Sequence, residues 1–369
     1  MKYIYEHKGY PRFTWDRAEV LDLLTTVAGL QGRLLGKMQQ FGFGVQQEAM
    51  LNAMTEEIVK SSEIEGEVLN SGQVRSSLAH RLNIHVQQSP VPSHHIDGIV
   101  ETLMDATGGY QKPLIQTRLF GWHAALFPTG WSGLRKIRVG KFRKAGMRIV
   151  SSKGGRETVH YEAPAPEGVG PQMDAFLDWL NKDGSENPLL KSAIAHLWFV
   201  IVHPFDDGNG RLARTITEMV LSRSENTPLR FYSMSAQIQK EKKEYYRVLE
   251  LTTTGGLDIT VWLKWFLGCL SRAIVNAETV MGSVLEKADF WQRNSEYIPN
   301  DTQRCIMNLL LDGFEGNLTS GKVGKICKVS QDTATRLLKD LVERGFLEVK
   351  GGGRSTHYVQ TTRQDRDNP

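Results

Sequence analysis

Residues 203–214 combine side chains and glycines that could together handle a nucleotide. The stretch reads His203-Pro204-Phe205-Asp206-Asp207-Gly208-Asn209-Gly210-Arg211-Leu212-Ala213-Arg214. An imidazole can act as a general base, a carboxylate is a ligand that Mg²⁺ accepts, and backbone amides next to glycines can bind phosphate. Two arginines spaced three positions apart can reach one polyphosphate from the same helix face. A structural corner between helices needs only one glycine and no histidine, so the combination favours a site for a Mg²⁺-nucleotide.

The elements around this stretch are expected to bring its groups together. The apolar run 193–202 predicts a buried helix, and Pro204 cannot continue it, so His203 should lie at the helix end. Residues 207–210 predict a tight turn, because glycine tolerates the backbone angles that turns require. A new helix is predicted from Arg211, and the N–H groups at its start would form an anion site.

This stretch resembles the signature of Fic domains, His-x-Phe-x-Asp/Glu-Gly-Asn-Gly-Arg-x-x-Arg, and matches it at every fixed position. The resemblance implies a protein adenylyltransferase, which transfers AMP from ATP to a Ser, Thr or Tyr hydroxyl of a target protein. It also implies that His203 is the catalytic base, that Phe205 anchors the loop and that Asp207 holds Mg²⁺. A phosphotransferase branch of the family has Lys where this chain has Gly210, so the nucleotidyl-transferring branch is the closer match.

The nucleotide site expected from this resemblance extends beyond the base and the metal ligand. A helix predicted around 243–249 adds two aromatic candidates, one of which could wall the adenine pocket; packing in the core would explain them equally well. The expected nucleotide-binding residues are Asp207, Gly208, Asn209, Gly210, Arg211, Arg214, Tyr245 and Tyr246.

A second motif lies upstream, at the end of a helix predicted from about Gln46 to Ile64. Taken alone, the segment Ser61–Gly66 is a helix stop with Gly66 as the left-handed cap. Beside the signature, it resembles the inhibitory motif Ser/Thr-x-x-x-Glu-Gly/Asn of many Fic proteins, in the class whose inhibitory helix is N-terminal. The resemblance implies that Ser61, Glu65 and Gly66 are inhibitory, and we expect Glu65 to pair with Arg214.

Two further segments add to the predicted architecture. Residues 148–151 and 158–162 predict a β-hairpin that turns at Lys153-Gly154-Gly155-Arg156. It could be a decoration on a helical domain. In Fic proteins a hairpin at this place, the flap, lies beside the active site and pairs with the target segment in extended form. The opening Gly9–Trp15 resembles the N-terminal domain that is often fused to bacterial Fic proteins.

The last part of the chain, from Asp301, predicts three helices followed by two strands around a basic, glycine-rich turn at 350–354. This pattern resembles a winged helix whose third helix, 331–343, would be the recognition helix. That helix also carries acidic residues. The unit could therefore bind DNA or serve for protein contact or dimerisation, and both remain open. The candidate DNA-binding residues are Arg336, Lys339, Lys350 and Arg354.

Composition sets broad limits on the class of protein. The chain has 369 residues, 40% of them hydrophobic and 23% charged, which is ordinary for a globular protein large enough for two or three domains. The net charge of +4 is compatible with nucleotide or nucleic-acid contact without arguing for either. Cys269, Cys305 and Cys327 suggest no disulfide framework or zinc site, so a reducing compartment is expected. No signal peptide or membrane span is predicted, and we expect a cytoplasmic, microbial protein.

Together these patterns predict a mainly α protein in three parts: an N-terminal helical domain with the inhibitory helix over 1–90, a Fic catalytic core with a β-hairpin flap over 91–290, and a winged helix over 300–369. The expected activity is adenylyl transfer that Glu65 inhibits. A de-adenylylating Fic enzyme and a DNA-binding regulator whose core senses nucleotide are the other hypotheses. The expected partners are ATP with Mg²⁺ and a target protein, with self-modification, DNA and a homodimer left open.

Overall fold

The computed structural model is mainly helical and divides into two compact units, Met1–Glu278 and Thr279–Pro369. The residues 1–90 that the sequence predicted as a domain of their own belong to the first unit, together with the helices that carry the signature. The structure describes residues 2–84, 90–153, 156–182, 184, 186–297, 299–311, 314 and 316–361.

Three helices open the first unit: α1 (Arg17–Gln39), α2 (Phe43–Ile64) and α3 (Ser71–Arg81). Asp16 begins α1 by accepting from the N–H groups of Ala18 and Glu19 at 2.8 and 3.2 Å, which satisfies donors that the helix itself cannot. A parallel bridge between Thr14 and Asp258 ties the chain start to the loop before a later helix.

Eight further helices follow in the described part of the chain up to Arg293, and the signature lies between two of them. Their bounds are α4 (His94–Gly108), α5 (Gln116–Leu126), α6 (Pro166–Asn181), α7 (Pro188–Val202), α8 (Asn209–Glu225), α9 (Met234–Lys240), α10 (Lys242–Thr253) and α11 (Thr260–Arg293). Every residue of α7 from 192 to 202 is buried, as its apolar run predicts. The helix α7 packs along α8, so the signature loop between them rests on the centre of the core.

Apolar positions in the sequence predict two separate helices, over 259–269 and 273–290, followed by a linker from Trp291 to Pro299. The two-helix prediction is wrong, because α11 is continuous from Thr260 to Arg293. The join, Leu270-Ser271-Arg272, contains neither glycine nor proline, so nothing in its chemistry stops a helix. Part of the linker predicted from Trp291 is also helical.

Two hairpins lie between α5 and α6. The strands β1 (Trp131–Ser132) and β2 (Arg135–Lys136) form a short one that the sequence did not predict. The strands β3 (Arg148–Lys153) and β4 (Arg156–Glu162) form the predicted flap as an antiparallel pair. Its turn at Gly154-Gly155 lies outside the described residues. The hydroxyl of Tyr161 on β4 donates to the carbonyl of Ile201 at 2.6 Å, which joins the flap to α7.

The second unit contains the predicted order of elements: α12 (Asp301–Leu311), α13 (Ser320–Ile326), α14 (Gln331–Glu343), β5 (Leu347–Lys350) and β6 (His357–Gln360). The strands pair antiparallel, and Leu318 adds an isolated antiparallel bridge to Tyr358. Apolar side chains from all three helices and the hairpin form one core.

The cysteine prediction needs a correction in this unit. Cys305 on α12 and Cys327 at the end of α13 form a disulfide, with Cα atoms 6.2 Å apart. The two cysteines are 22 residues apart in sequence, and they meet because α12 and α13 both pack against α14. Among the helices that the structure describes, none is long and apolar enough to cross a membrane.

Candidate active site

His203 lies where α7 ends and the signature loop begins. Its backbone is left-handed, with φ 49° and ψ 59°, and its N–H donates to the carbonyl of Phe199 at 3.0 Å. A residue other than glycine adopts this conformation uncommonly, and mainly where its surroundings hold it, as they often do at functional sites. The helix therefore ends at the position that Pro204 predicts, and it projects the imidazole from its last turn.

The imidazole of His203 is set up to accept a proton. Its Nδ1 lies 3.3 Å from the carbonyl oxygen of Val200. Because a carbonyl can only accept, Nδ1 carries the hydrogen and Nε2 keeps its lone pair. Burial lowers the pKa of His203 to about 4, with a smaller lowering by the charge of Arg143, against the raising effects of the Val200 carbonyl, Glu65 and Asp207. The side chain is therefore neutral at physiological pH.

A buried arginine that the sequence did not mark, Arg143, holds the chain around His203. Its Nε donates to the carbonyl of His203 at 2.8 Å, and its other nitrogens reach the carbonyls of Pro164 at 2.6 Å and Ala145 at 2.9 Å. The end of a helix leaves carbonyls without partners, and a guanidinium can satisfy several of them at once. No motif surrounds Arg143 in the sequence, so its role could be seen only in the folded chain.

The signature loop is fixed by Phe205 and Asn209. The Phe205 ring is fully buried and stacks on the His123 ring with centroids 4.2 Å apart. The Asn209 side chain accepts from the N–H of Phe205 at 2.9 Å and donates to its carbonyl at 2.8 Å. His123 Nε2 in turn lies 3.2 Å from the carbonyl of Asp207. The side chain of Asn209 is thus used within the loop, and its backbone N–H remains for a phosphate.

Asp207 lies just before α8, with Gly208 (φ 81°) between it and the helix. One carboxylate oxygen bonds the hydroxyl of Ser132, and the other accepts from the Gly208 N–H at 2.5 Å. No group of three or more His, Cys, Asp or Glu side chains in the described part of the chain is arranged to hold a metal ion. The Asp207 carboxylate is by itself a donor of the kind that Mg²⁺ accepts, since proteins commonly hold this ion with one or two carboxylates while substrate phosphates and water complete the shell.

The predicted pair between Glu65 and Arg214 is present. Arg214 donates to Glu65 Oε1 at 2.7 Å, to the Ser61 hydroxyl at 2.8 Å and to the Ser61 carbonyl at 2.9 Å. The guanidinium is 2% exposed, whereas the Glu65 side chain is 35% exposed. The same carboxylate lies over the first turn of α8, where a Cβ at Gly210 would collide with Oε1. Glu65 therefore covers the N-terminus of α8, which is the predicted phosphate site.

The other signature arginine is also paired, with a carboxylate that the sequence analysis did not single out. Arg211 donates to Glu67 Oε2 at 2.9 Å, and its guanidinium stacks on the Phe127 ring at 4.8 Å. The second oxygen of Glu67 lies 2.5 Å from Nε2 of His95, at the start of α4. The hydrogen bond from His95 and the charge of Arg211 lower the pKa of Glu67 against the opposing effect of burial. Glu67 is therefore a carboxylate at neutral pH.

Hydrogen bonds hold the segment that carries Glu65 and Glu67, both within the segment and through the preceding helix α2. Gly66 has φ 84°, and the N–H groups of Gly66 and Glu67 donate to the carbonyls of Glu63 and Ser62, each at 3.0 Å. This is the helix end that a left-handed glycine predicts. Earlier on α2, the buried carboxylate of Glu57 accepts from the Ser233 hydroxyl at 2.7 Å and the Ser235 N–H at 2.8 Å. The helix α2 is thereby anchored to the start of α9.

A cavity of about 640 Å³ opens beside His203 and Gly210. The flap strand β3 forms one wall and α10 another, with Glu65 at its edge. Tyr246 is 42% exposed here, and burial raises its pKa to about 12. Tyr245 is 2% exposed, and its hydroxyl bonds His196 at 2.9 Å within the core. Of the two tyrosines, Tyr246 is therefore the one positioned to face a ligand.

The candidate DNA-binding residues lie in the second unit. Arg336 and Lys339 are exposed on α14, whose inner face is formed by Ala334, Leu337, Leu338 and Leu341. Lys350 is exposed but pairs with Glu348 at 2.9 Å. The side chain of Arg354 lies outside the described residues.

The fold and the site define a Fic-type domain. Residues 113–221 match the family model described as the Fic/DOC family, so this chain carries a Fic/DOC domain. Residues 3–84, which contain α1, α2 and α3, match a family model described as a domain of unknown function, DUF4172.

The chain is also similar to curated relatives, and a solved structure shares its fold. The chain is 35% identical over 115 residues to protein adenylyltransferase Fic of Nematostella vectensis (30% of this chain, 25% of that protein). It is 36% identical over 129 residues to protein adenylyltransferase fic-1 of Caenorhabditis elegans (34% and 24%). The chain thus spans about a quarter of the length of these relatives. A Fic family protein from Desulfovibrio desulfuricans G20 shares the fold, with a TM-score of 0.57 at 21% identity over 96% of this chain and 98% of that one.

Proposed function

We propose that this chain is a protein adenylyltransferase that moves AMP from ATP to a hydroxyl of a target protein. The observation that carries the proposal is that His203, whose Nδ1 faces the carbonyl of Val200, shares a cavity with Gly210 at the start of α8. A base in its proton-accepting form next to a helix N-terminus that can bind phosphate is the arrangement that nucleotidyl transfer requires. The curated relatives are named for this activity.

In the proposed reaction, a Ser, Thr or Tyr hydroxyl of the target donates its proton to Nε2 of His203. The hydroxyl oxygen forms a bond to the α-phosphorus of ATP, and the bond between that phosphorus and the bridging oxygen of pyrophosphate breaks. Arg211, Arg214 and the first N–H groups of α8, including those of Asn209 and Gly210, stabilise the leaving pyrophosphate. Asp207 would hold Mg²⁺, which neutralises phosphate charge when it is bound with the nucleotide.

The cavity also suggests how ATP and the target are positioned. Tyr246 offers a ring for the adenine, while Tyr245 supports it from the core. The flap strand β3 borders the cavity, and its Ile149 and Val150 are 37% and 42% exposed. A target segment in extended form could pair with this strand through main-chain hydrogen bonds, which accept many sequences. The target could be another copy of this chain as well as a different protein.

Autoinhibition by Glu65 is part of the proposal. Arg214 would otherwise bind the terminal phosphates of ATP, and the carboxylate lies where those phosphates would approach Gly210. ATP could still enter, but its α-phosphorus would be misaligned for attack, and a misplacement of about 1 Å can cost on the order of 10²-fold in rate. The reaction uses ATP, so a cytoplasmic location remains our expectation.

The test of the activity is the transfer of label from ATP to protein. Label should move from α-³²P-ATP but not from γ-³²P-ATP, because AMP rather than phosphate is transferred. A lysate and the purified chain should both be used as acceptors, since self-modification is one possible outcome. If label arrives from the γ position instead, the reaction is phosphotransfer and the proposal is wrong. Loss of label from a modified protein would identify the de-adenylylating enzyme.

For the second unit we propose duplex DNA as the partner. The support is the exposure of Arg336 and Lys339 on one face of α14, which is followed by the hairpin β5–β6 as in a winged helix. Lys350 and Arg354 would then contribute phosphate contacts from the hairpin. A homodimer that forms through this unit is the competing outcome, and size-exclusion chromatography with light scattering would detect it.

A further inference from the structure

The segment that follows α2 engages both signature arginines, not one. Glu65 bonds Arg214 at 2.7 Å, and Glu67, two residues further, bonds Arg211 at 2.9 Å. The two carboxylates lie on opposite sides of Gly66, whose left-handed backbone turns the chain between them. One short turn therefore presents two anions to the two cations that the proposed reaction needs for the phosphates.

The contact of Glu67 with Arg211 would compete with the binding of a phosphate to this guanidinium. Arg211 is only 8% exposed, and Phe127 covers one face of its guanidinium. Its Nη1 already donates to the carboxylate of Glu67, which is 32% exposed. A phosphate that binds this arginine through Nη1 would compete with Glu67 for that N–H group, and the negative charge of the carboxylate would repel the phosphate.

Glu67 is itself held in place from a different helix. His95, in the first turn of α4, donates from Nε2 to Glu67 Oε1 at 2.5 Å, while Oε2 faces Arg211. Both oxygens of the carboxylate are thus engaged, and its orientation toward Arg211 is fixed. By contrast, Glu63, near the end of α2, pairs with Lys60 at 2.7 Å and Gln239 at 3.0 Å and forms no ion pair with either arginine in the described part of the chain.

We propose that Glu67 is a second inhibitory carboxylate, which withholds Arg211 from nucleotide phosphates as Glu65 withholds Arg214, with His95 as its positioning residue. The proposal rests on the proposed function, because it assigns Arg211 to ATP. It makes the inhibitory element a pair of carboxylates around Gly66, so that the removal of Glu65 alone releases only one of the two arginines.

The first experiment measures ATP affinity by isothermal titration calorimetry on the full chain. Glu67→Gln keeps the size of the side chain and removes its charge, so ATP should bind about tenfold more tightly than to the wild type. His95→Ala should tighten binding less, because it frees Glu67 without removing it. The matched control Glu63→Gln should leave the affinity unchanged. A folded Glu67→Gln variant that binds ATP no more tightly than the wild type would overturn the proposal.

The second experiment needs no nucleotide. Phenylglyoxal reacts with guanidinium groups that are not held by a carboxylate, and peptide mass spectrometry reports its extent at Arg211. Modification of Arg211 should be severalfold faster in Glu67→Gln than in the wild type or Glu63→Gln, and an unchanged rate would contradict the proposal. If neither wild type nor variants bind ATP, the proposed function fails, while the phenylglyoxal result still decides whether Glu67 holds Arg211.

Discussion

The carboxylate of Glu65 lies 2.7 Å from the guanidinium of Arg214, although the two residues are 149 positions apart in the chain. The contact joins the end of α2 to the first turns of α8, and it lies directly over Gly210. Arg214 is 2% exposed, so the bond is formed in a setting where water competes weakly. The proposed regulation depends on this relationship.

Ser61→Ala should activate the enzyme by a smaller factor than Glu65→Gly does. The Ser61 hydroxyl accepts from Arg214 at 2.8 Å, so its loss loosens the arginine but leaves the Glu65 carboxylate in place. One hydrogen bond to a charged group contributes about 1.5–3 kcal/mol, but only part of this is lost, because the Ser61 carbonyl and Glu65 still hold Arg214 in the variant. We expect labelling from α-³²P-ATP to rise about threefold to tenfold. Labelling that equals or exceeds that of Glu65→Gly would show that Ser61, not Glu65, is the main restraint.

His203→Ala should lower the transfer rate by roughly 10²–10⁴-fold while ATP still binds. The side chain faces the cavity as a base, and the loop around it is held by Arg143 and Asn209, which this substitution leaves in place. Labelling should be compared with ATP affinity from calorimetry. Transfer at the wild-type rate would remove His203 from the mechanism.

The pH dependence of transfer should reflect the low pKa of His203. Only the neutral imidazole accepts a proton, and a pKa of about 4 keeps it neutral as the pH falls through 6.5. We therefore expect the acid limb of kcat/KM near pH 4, below which the rate falls about tenfold per pH unit. The profile should be measured with Glu65→Gly, and circular dichroism should verify the fold at each pH. A decline that begins near pH 6.5 would contradict the burial of this base.

Asp207→Ala should remove activity together with its dependence on Mg²⁺. In the structure the carboxylate is oriented by Ser132 and the Gly208 N–H, and it is the group that the proposal assigns to the metal. Titrations with MgCl₂ at fixed ATP should give no stimulation in the variant. The matched control is Asp206→Ala, because the Asp206 carboxylate accepts from the Arg138 N–H and is not assigned to the metal. Stimulation by Mg²⁺ in Asp207→Ala would rule out this assignment.

Arg336→Ala and Lys339→Ala should each weaken duplex DNA binding and reduce its salt dependence. Each phosphate contact releases counterions, so the slope of log K against log salt should fall by about one for each lost contact. Asp332→Ala, which removes a negative charge from the same helix, serves as the control. A selection from random duplexes that enriches no site would favour protein contact or dimerisation through this unit.

The sequence predicted most of the site because a long motif with fixed spacing requires a particular local structure. Pro204 marks the end of α7 and Gly208 the start of α8, although α8 begins at Asn209, two residues before the predicted Arg211. The order of helices and strands in the second unit was also predictable from periodicity.

What the sequence did not predict depends on contacts between distant parts of the chain. Arg143 satisfies carbonyls on three segments, and Glu67 meets Arg211 from 144 residues away. The Cys305–Cys327 disulfide likewise depends on how α12 and α13 pack. The sequence could not decide whether Tyr245 or Tyr246 faces the cavity. The decision depends on the burial of each side chain, because adjacent positions on a helix face different surroundings.

The measurement that tests the central claim most directly compares labelling from α-³²P-ATP by the wild type, Glu65→Gly and the Glu65→Gly/His203→Ala double variant. Because Glu65 occupies Arg214 and covers Gly210, Glu65→Gly should label itself and targets on the order of 10²-fold faster than the wild type. The double variant should lose that gain, which assigns the activity to His203. A folded Glu65→Gly that labels no faster than the wild type, or a double variant that stays active, would contradict the account.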